Sequence, residues 1–225
     1  MQRAESDIQK DVIDELRWDP ALEGDDIAVA FRDGVATLAG FVASYAGKWR
    51  AERLVSKIKG VRAIANDLQV KLPASSQRPD PDIARAALDA LKWDVAVPSD
   101  RITMRVENGW ITLEGDVDFY FQRQAAERDV RNLTGVKGVT NLITVHSTQP
   151  AAENVKQRIK DSIQRNAQLD AEHITVDIDR NTAILRGTVR SYAEWRDAEM
   201  AARNAPGITE VDNRATIDPN VYATA

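Results

Sequence analysis

The 225-residue chain contains no cysteine and only two histidines, His146 and His173. The first absence removes a disulfide framework, a thiolate nucleophile and every Cys-ligated zinc site. The second leaves a transition-metal ion almost no ligands, since thiolate and imidazole are what such ions take most readily. Long apolar runs are also missing. A bilayer span needs about 20 predominantly apolar residues, whereas the longest stretch free of Asp, Glu, Lys and Arg covers residues 138–152 and includes His146 and Pro150. The first seven residues carry Arg3, Glu5 and Asp7 and lack the apolar core of a secretory signal. As written, the chain is expected in the cytoplasm, or in the periplasm if a leader has been removed. Neither a Gly-x-Ser-x-Gly elbow, a P-loop nor a dinucleotide fingerprint is present, so no enzyme, cofactor or metal is expected. The net charge of -5 disfavours nucleic acid as a partner. A hydrophobic share of 43% argues against a disordered chain.

What is present is a repeat. Residues 27–40 lie over 102–115 and 174–187, at offsets of 75 and then 72, and the register holds without insertion over residues 8–70, 83–145 and 155–217. Nine positions are identical in all three copies. They include Leu38/Leu113/Leu185, Gly40/Gly115/Gly187, Tyr45/Tyr120/Tyr192, Glu52/Glu127/Glu199, Gly60/Gly135/Gly207 and Asn66/Asn141/Asn213. Between the copies, Pro73, Pro79 and Pro81 mark one linker and Pro150 another. The expected division is 1–72 for the first domain, 73–82 for a linker, 83–147 for the second domain, 148–154 for a linker and 155–225 for the third.

Within a copy, Ile8, Val12 and Leu16 recur at helical spacing, as do Ile83, Ala87 and Leu91, and Val155, Ile159 and Ile163. Strict alternation follows in Ile27, Val29 and Phe31, then in Ala36, Leu38, Gly40 and Val42, with Asp33-Gly34 between them as a favoured hairpin loop. A second helix over residues 44–59 ends at Gly60, and Ile64, Leu68 and Val70 make a last strand. The chain is therefore expected to be α+β: three tandem α-β-β-α-β units, each a small three-stranded mixed sheet with two helices on one face. Trp18 and Trp93, at one register of the first helix, are expected to pack inside. Trp110 has the opposite parity to Ile111 and Leu113, which puts it on the bare sheet face. The units are expected to meet through those faces, with Trp110 as an inter-domain or partner contact.

The hairpin ending in Leu-x-Gly-x-Val, the Ala51-Glu52 helix, Gly60-Val61 and the following Asn66, repeated in order three times, resemble the BON domain of bacterial osmotically induced and nodulation-associated proteins. The resemblance covers nearly the whole chain. It implies a non-enzymatic protein that attaches to phospholipid surfaces or envelope components under osmotic or envelope stress. Some cytoplasmic relatives are instead linked to potassium, so an ion-binding or small-ligand module is the alternative, and a protein-interaction scaffold the third.

Two residue sets bear on these alternatives. Glu52 and Asn66 recur in every copy and form either a buried structural network or an oxygen-lined cation site. The second helix of the first copy is cationic although the chain is acidic, and its wheel sets Trp49 nearly opposite the core stripe of Ala51, Leu54, Val55 and Ile58. An indole within a basic face suits an anionic phospholipid surface. The candidate lipid-binding residues are Tyr45, Lys48, Trp49, Arg50, Arg53 and Lys57; the competing expectation is that Trp49 packs against a neighbouring unit.

Overall fold

The computed structural model describes residues 3–146, 154–165 and 174–219. In unit one, α1 (Glu5–Trp18) is followed by β1 (Asp26–Arg32), β2 (Val35–Val42), α2 (Tyr45–Val55) and β3 (Ala63–Val70). Unit two repeats the order as α3 (Asp80–Trp93), β4 (Ile102–Glu107), β5 (Trp110–Val117), α4 (Tyr120–Arg131) and a last strand in two pieces, β6 (Gly138–Asn141) and β7 (Thr144–Val145). Unit three has α5 (Val155–Arg165), β8 (Ile174–Asp179), β9 (Thr182–Val189), α6 (Tyr192–Arg203), β10 (Glu210–Asn213) and β11 (Thr216–Ile217). Most of the expected second linker, and His173, lie outside the described residues.

Each fold follows from its periodicities. The first helices bury Ile8, Val12 and Leu16, then Ile83, Ala87 and Leu91, then Val155, Ile159 and Ile163, one residue per turn. The middle strand pairs antiparallel with the strand before it and parallel with the strand after the second helix, as in β1, β2 and β3. The hairpin turns place Asp33 and Gly34 at φ 52° and 84° and Asn108 and Gly109 at 53° and 82°, the left-handed geometry that two-residue loops require. The repeated Gly40 has a different reason. Its φ is 117°, and a Cβ there would sit 2.0 Å from the Asp26 carbonyl oxygen, so β1 and β2 can cross this closely only at a glycine.

Three separate cores result, one per unit. One position differs between them in kind. Leu54 packs against the first core and Ala201 against the third, but the equivalent residue of α4 is Asp129. Its Oδ2 is buried with no hydrogen-bond partner among the described residues, while Arg128 Nε lies 3.3 Å from Oδ1. Burial, with Asp94 beside it adding repulsion, raises the Asp129 carboxyl above its ordinary value.

The units meet end to end through their second helices. Tyr45, at the start of α2, packs against the core of unit two, and the Arg131 guanidinium, at the end of α4, lies 3.7 Å from the Trp49 ring centroid. At the next junction Arg203, at the end of α6, stands 5.2 Å over the Tyr120 ring, and Gln124 Nε2 lies 3.4 Å from Met200 Sδ. At the third, the first amides of α6 donate to unit one: Ala193 N–H to the Ser56 carbonyl at 2.9 Å and Tyr192 N–H to the Val61 carbonyl at 3.3 Å. Equivalent positions are used each time, so the three contacts close a head-to-tail ring with pseudo-threefold symmetry. The sheet faces expected to make these contacts do not carry them. Trp110 is 48% exposed, its indole N–H donates to Thr140 Oγ1 at 2.8 Å, and its ring lies over Gly138 of its own unit. Strand parity identifies a bare face but says nothing about what covers it, whereas a helix N-terminus carries free amides that need acceptors.

As at the ends of α4 and α6, where the Leu133 and Ala205 amides bond carbonyls three residues back, the last turn of α2 tightens. The helix ends at Val55 rather than Lys59, and Lys57 and Ile58 turn back to carbonyls three residues earlier, leaving the Ser56 carbonyl for α6. Ser56 is fully buried where the other units carry Arg131 and Arg203, and only a small residue lets the two backbones approach. Ser56→Arg should therefore cost about 1–3 kcal/mol by overpacking and open this junction, seen as a larger radius of gyration in small-angle scattering; Arg32→Ser, at an exposed site, should change neither. Asp129→Leu should stabilise the protein by about 1–3 kcal/mol, the cost of an unsatisfied buried polar group, and raise the melting temperature. Because the folded carboxyl lies above its unfolded value, the native protein favours the proton, so this site's penalty is present at neutral pH and fades as pH falls through the folded value. The stability gap between wild type and Asp129→Leu should narrow on mild acidification in denaturant melts at a series of pH values.

Candidate functional site

The start of α2 is set by Ser44, whose Oγ accepts from the Gly47 amide at 3.0 Å, and the same cap recurs where Ser191 accepts from Glu194 at 3.3 Å in α6. In α4 the place is taken by Gln122, whose Oε1 accepts from the Asp118 and Phe119 amides at 3.0 Å each. These caps orient the repeated tyrosine that follows toward the neighbouring unit.

The structure divides the six sequence candidates. Tyr45 lies against the core of unit two, where burial, with Glu127 nearby, raises its phenol above the ordinary value and the Val139 amide partly offsets this as a donor. Trp49 is half-buried, with the Arg131 and Arg53 guanidinia 3.7 Å and 5.2 Å from its ring centroid. Lys48 Nζ donates to the Leu68 carbonyl at 2.8 Å. Arg50 Nε lies 2.6 Å from Asp19 Oδ2, and this hydrogen bond holds the buried Asp19 carboxyl below its ordinary value. Arg53 and Lys57 remain exposed.

The repeated Asn and Glu form a tie between second helix and last strand. Asn66 Nδ2 donates to Glu52 Oε2 at 3.0 Å and to the Lys48 carbonyl at 3.4 Å, while its Oδ1 accepts from the Leu68 amide at 3.3 Å. Asn141 repeats all three bonds with Glu127, the Arg123 carbonyl and the Ile143 amide. Asn213 keeps the backbone pair, with Trp195 and Ala215, while Glu199 turns to Arg203 at 2.7 Å. A cation held by Glu52 and Asn66 would have to break this tie. The geometry supports the structural role.

Two residues expected to pack inside do the opposite. Trp18 is 86% exposed and Trp93 88% exposed, at matching ends of α1 and α3, flanked by exposed Arg17 and Lys92. The wheel contained the signal. At about 100° per residue, position 18 falls about 120° from the centre of the Ile8, Val12 and Leu16 stripe, well outside the buried face. In unit three the same position is Arg165, also exposed.

Among the described residues no helix is long and apolar enough to cross a membrane. The chain is 30% identical over 124 residues to osmotically-inducible protein Y of Escherichia coli (strain K12), an alignment that covers 53% of this chain and spans 62% of that protein. Among solved structures, the C-terminal domain of CdsD, a structural protein of the type III secretion system of Chlamydia trachomatis, aligns over 97% of this chain and 100% of its own at 13% identity and a TM-score of 0.26. A second CdsD structure aligns over 95% of each chain at 15% identity and a TM-score of 0.27. Neither similarity is close enough to support an inference. The BON domain profile, by contrast, matches residues 4–71, 79–147 and 151–219, one match for each of the three units, and the chain belongs to the BON-domain family.

Proposed function

We propose that this protein docks on an anionic phospholipid surface through Trp18 and Trp93 and acts, without catalysis, in osmotic or envelope stress. The observation that carries this is the pair of exposed indoles. Single exposed apolar residues are ordinary. Two tryptophans at the same register of successive repeats are not, and the pseudo-threefold ring sets equivalent positions at one height on one rim. A flat interface can therefore take both. An indole is suited to headgroup depth, having an apolar body and one N–H donor, and Arg17 and Lys92 beside the rings supply cations for lipid phosphate. The stress setting is supported by the relative described as osmotically inducible.

Tyr45 and Trp49, the aromatic members of the sequence-derived lipid set, are occupied at the junction with unit two, and Lys48 and Arg50 by partners within unit one. Lys57 keeps its exposed charge for the surface, whereas Arg53, also exposed, stands over the Trp49 ring at the junction. Burial of a large apolar side chain contributes about 1.5–3 kcal/mol, so Trp18→Ala with Trp93→Ala should weaken sedimentation with phosphatidylglycerol vesicles about tenfold or more at low salt. Trp110→Ala should leave it unchanged. Wild-type protein that stays in the supernatant at low salt, or a double variant that sediments like wild type, sinks the proposal.

A further inference from the structure

The arginines at the inter-unit junctions are not alike. Arg128 is held 2.6 Å from Asp94 and Arg203 2.7 Å from Glu199, each with a carboxylate of its own unit. Arg53, equivalent to Arg128, and Arg131, equivalent to Arg203, have no carboxylate partner among the described residues. Both guanidinia instead lie against one indole, Trp49, at 5.2 Å and 3.7 Å from its centroid. Arg131 Nε is buried without an acceptor. Glu127, the acid whose charge acts on Arg131, is engaged by Asn141 at 3.1 Å. Burial accordingly lowers the Arg131 pKa, with Glu127 and Tyr45 opposing and Arg53 adding repulsion. Two positive groups thus meet at one indole from units one and two, and among the described residues neither has a carboxylate in ion-pair contact. Arg53 also lines an open cleft of about 480 Å³ that it shares with Arg165, Ser162 and Asn204 of unit three and with the acid Asp197.

We propose that this junction is a binding site for a phosphate-class oxyanion, whose oxygens accept from Arg53 and Arg131 while Trp49 holds the two guanidinia in place. A guanidinium offers a planar fork that matches phosphate oxygens, and its face remains free to stack on an indole. The bound anion spans two units, so it stabilises the closed ring. Its source is either a free phosphate compound or the phosphodiester of a lipid headgroup, and the site is independent of docking through Trp18 and Trp93.

The test is thermal unfolding of the full chain in sodium tripolyphosphate against sodium chloride at matched ionic strength. Preferential binding to the folded state should raise the melting temperature by about 2 °C or more in tripolyphosphate. Arg53→Gln with Arg131→Gln should abolish the rise and Arg32→Gln should keep it. Arg53→Gln alone, at an exposed position, should diminish the rise without the folding risk of the buried site. If tripolyphosphate has no effect but Arg53→Gln weakens sedimentation with phosphatidylglycerol vesicles, the oxyanion is the lipid headgroup. Should neither the melting response nor vesicle binding depend on Arg53 and Arg131, the site is overturned. Loss of vesicle binding in the Trp18 and Trp93 double variant, with the tripolyphosphate response intact, separates this site from the docking rim.

Discussion

The second helix of each unit has to satisfy two partners at once, and both the packing within a unit and the contacts between units follow from this. One face must bury against its own sheet, while the amides and carbonyls at its ends are left without intrahelical partners. In this chain the ends of α2, α4 and α6 meet one another. The N-terminal amides of α6 reach carbonyls just beyond the C-terminal end of α2, and aromatic rings at the starts of α2 and α4 accept arginines from the ends of α4 and α6. Three small cores, each of a size that is marginal alone, become one closed assembly.

The Asn tie makes this arrangement reproducible. In each copy the amide holds the second helix to the last strand through a helix carbonyl and the strand's own amide two residues on, fixing the helix axis relative to the sheet. A helix that could roll on its sheet would misplace the tyrosine that follows its N-cap. Local hydrogen bonding therefore sets the direction of a contact made with another unit. The three junctions then diverge: backbone against backbone where Ser56 is small, arginine on an aromatic ring where the residue is long.

Much of the fold was legible because it rests on local physics. Helical spacing, strand alternation, the Asp-Gly and Asn-Gly turns and the recurrent glycines each constrain the backbone within a few residues. The pairing of Asn66 with Glu52 was legible too, although the backbone partners, the Lys48 carbonyl and the Leu68 amide, were not. The candidate site fared differently. Trp49 was correctly placed off the core stripe of its own helix, yet the same wheel that exposes it to solvent within unit one exposes it to Arg131 in the ring. Trp18 and Trp93 were misjudged because a shared register suggested a shared core, when their angle on the helix pointed outward.

Periodicity and turn chemistry, which act within one element or between adjacent ones, were enough to specify three α-β-β-α-β units, their hairpin turns and the helix stripes and alternating strand residues at the centre of each core. That the units close a ring through helix ends, that Tyr45 and Trp49 are engaged there, and that Trp18 and Trp93 stand free emerges from the packing of distant segments. These outcomes depend on pairings between residues tens to more than a hundred positions apart, such as Ser56 with Ala193. No period within one unit encodes which neighbour a surface will face.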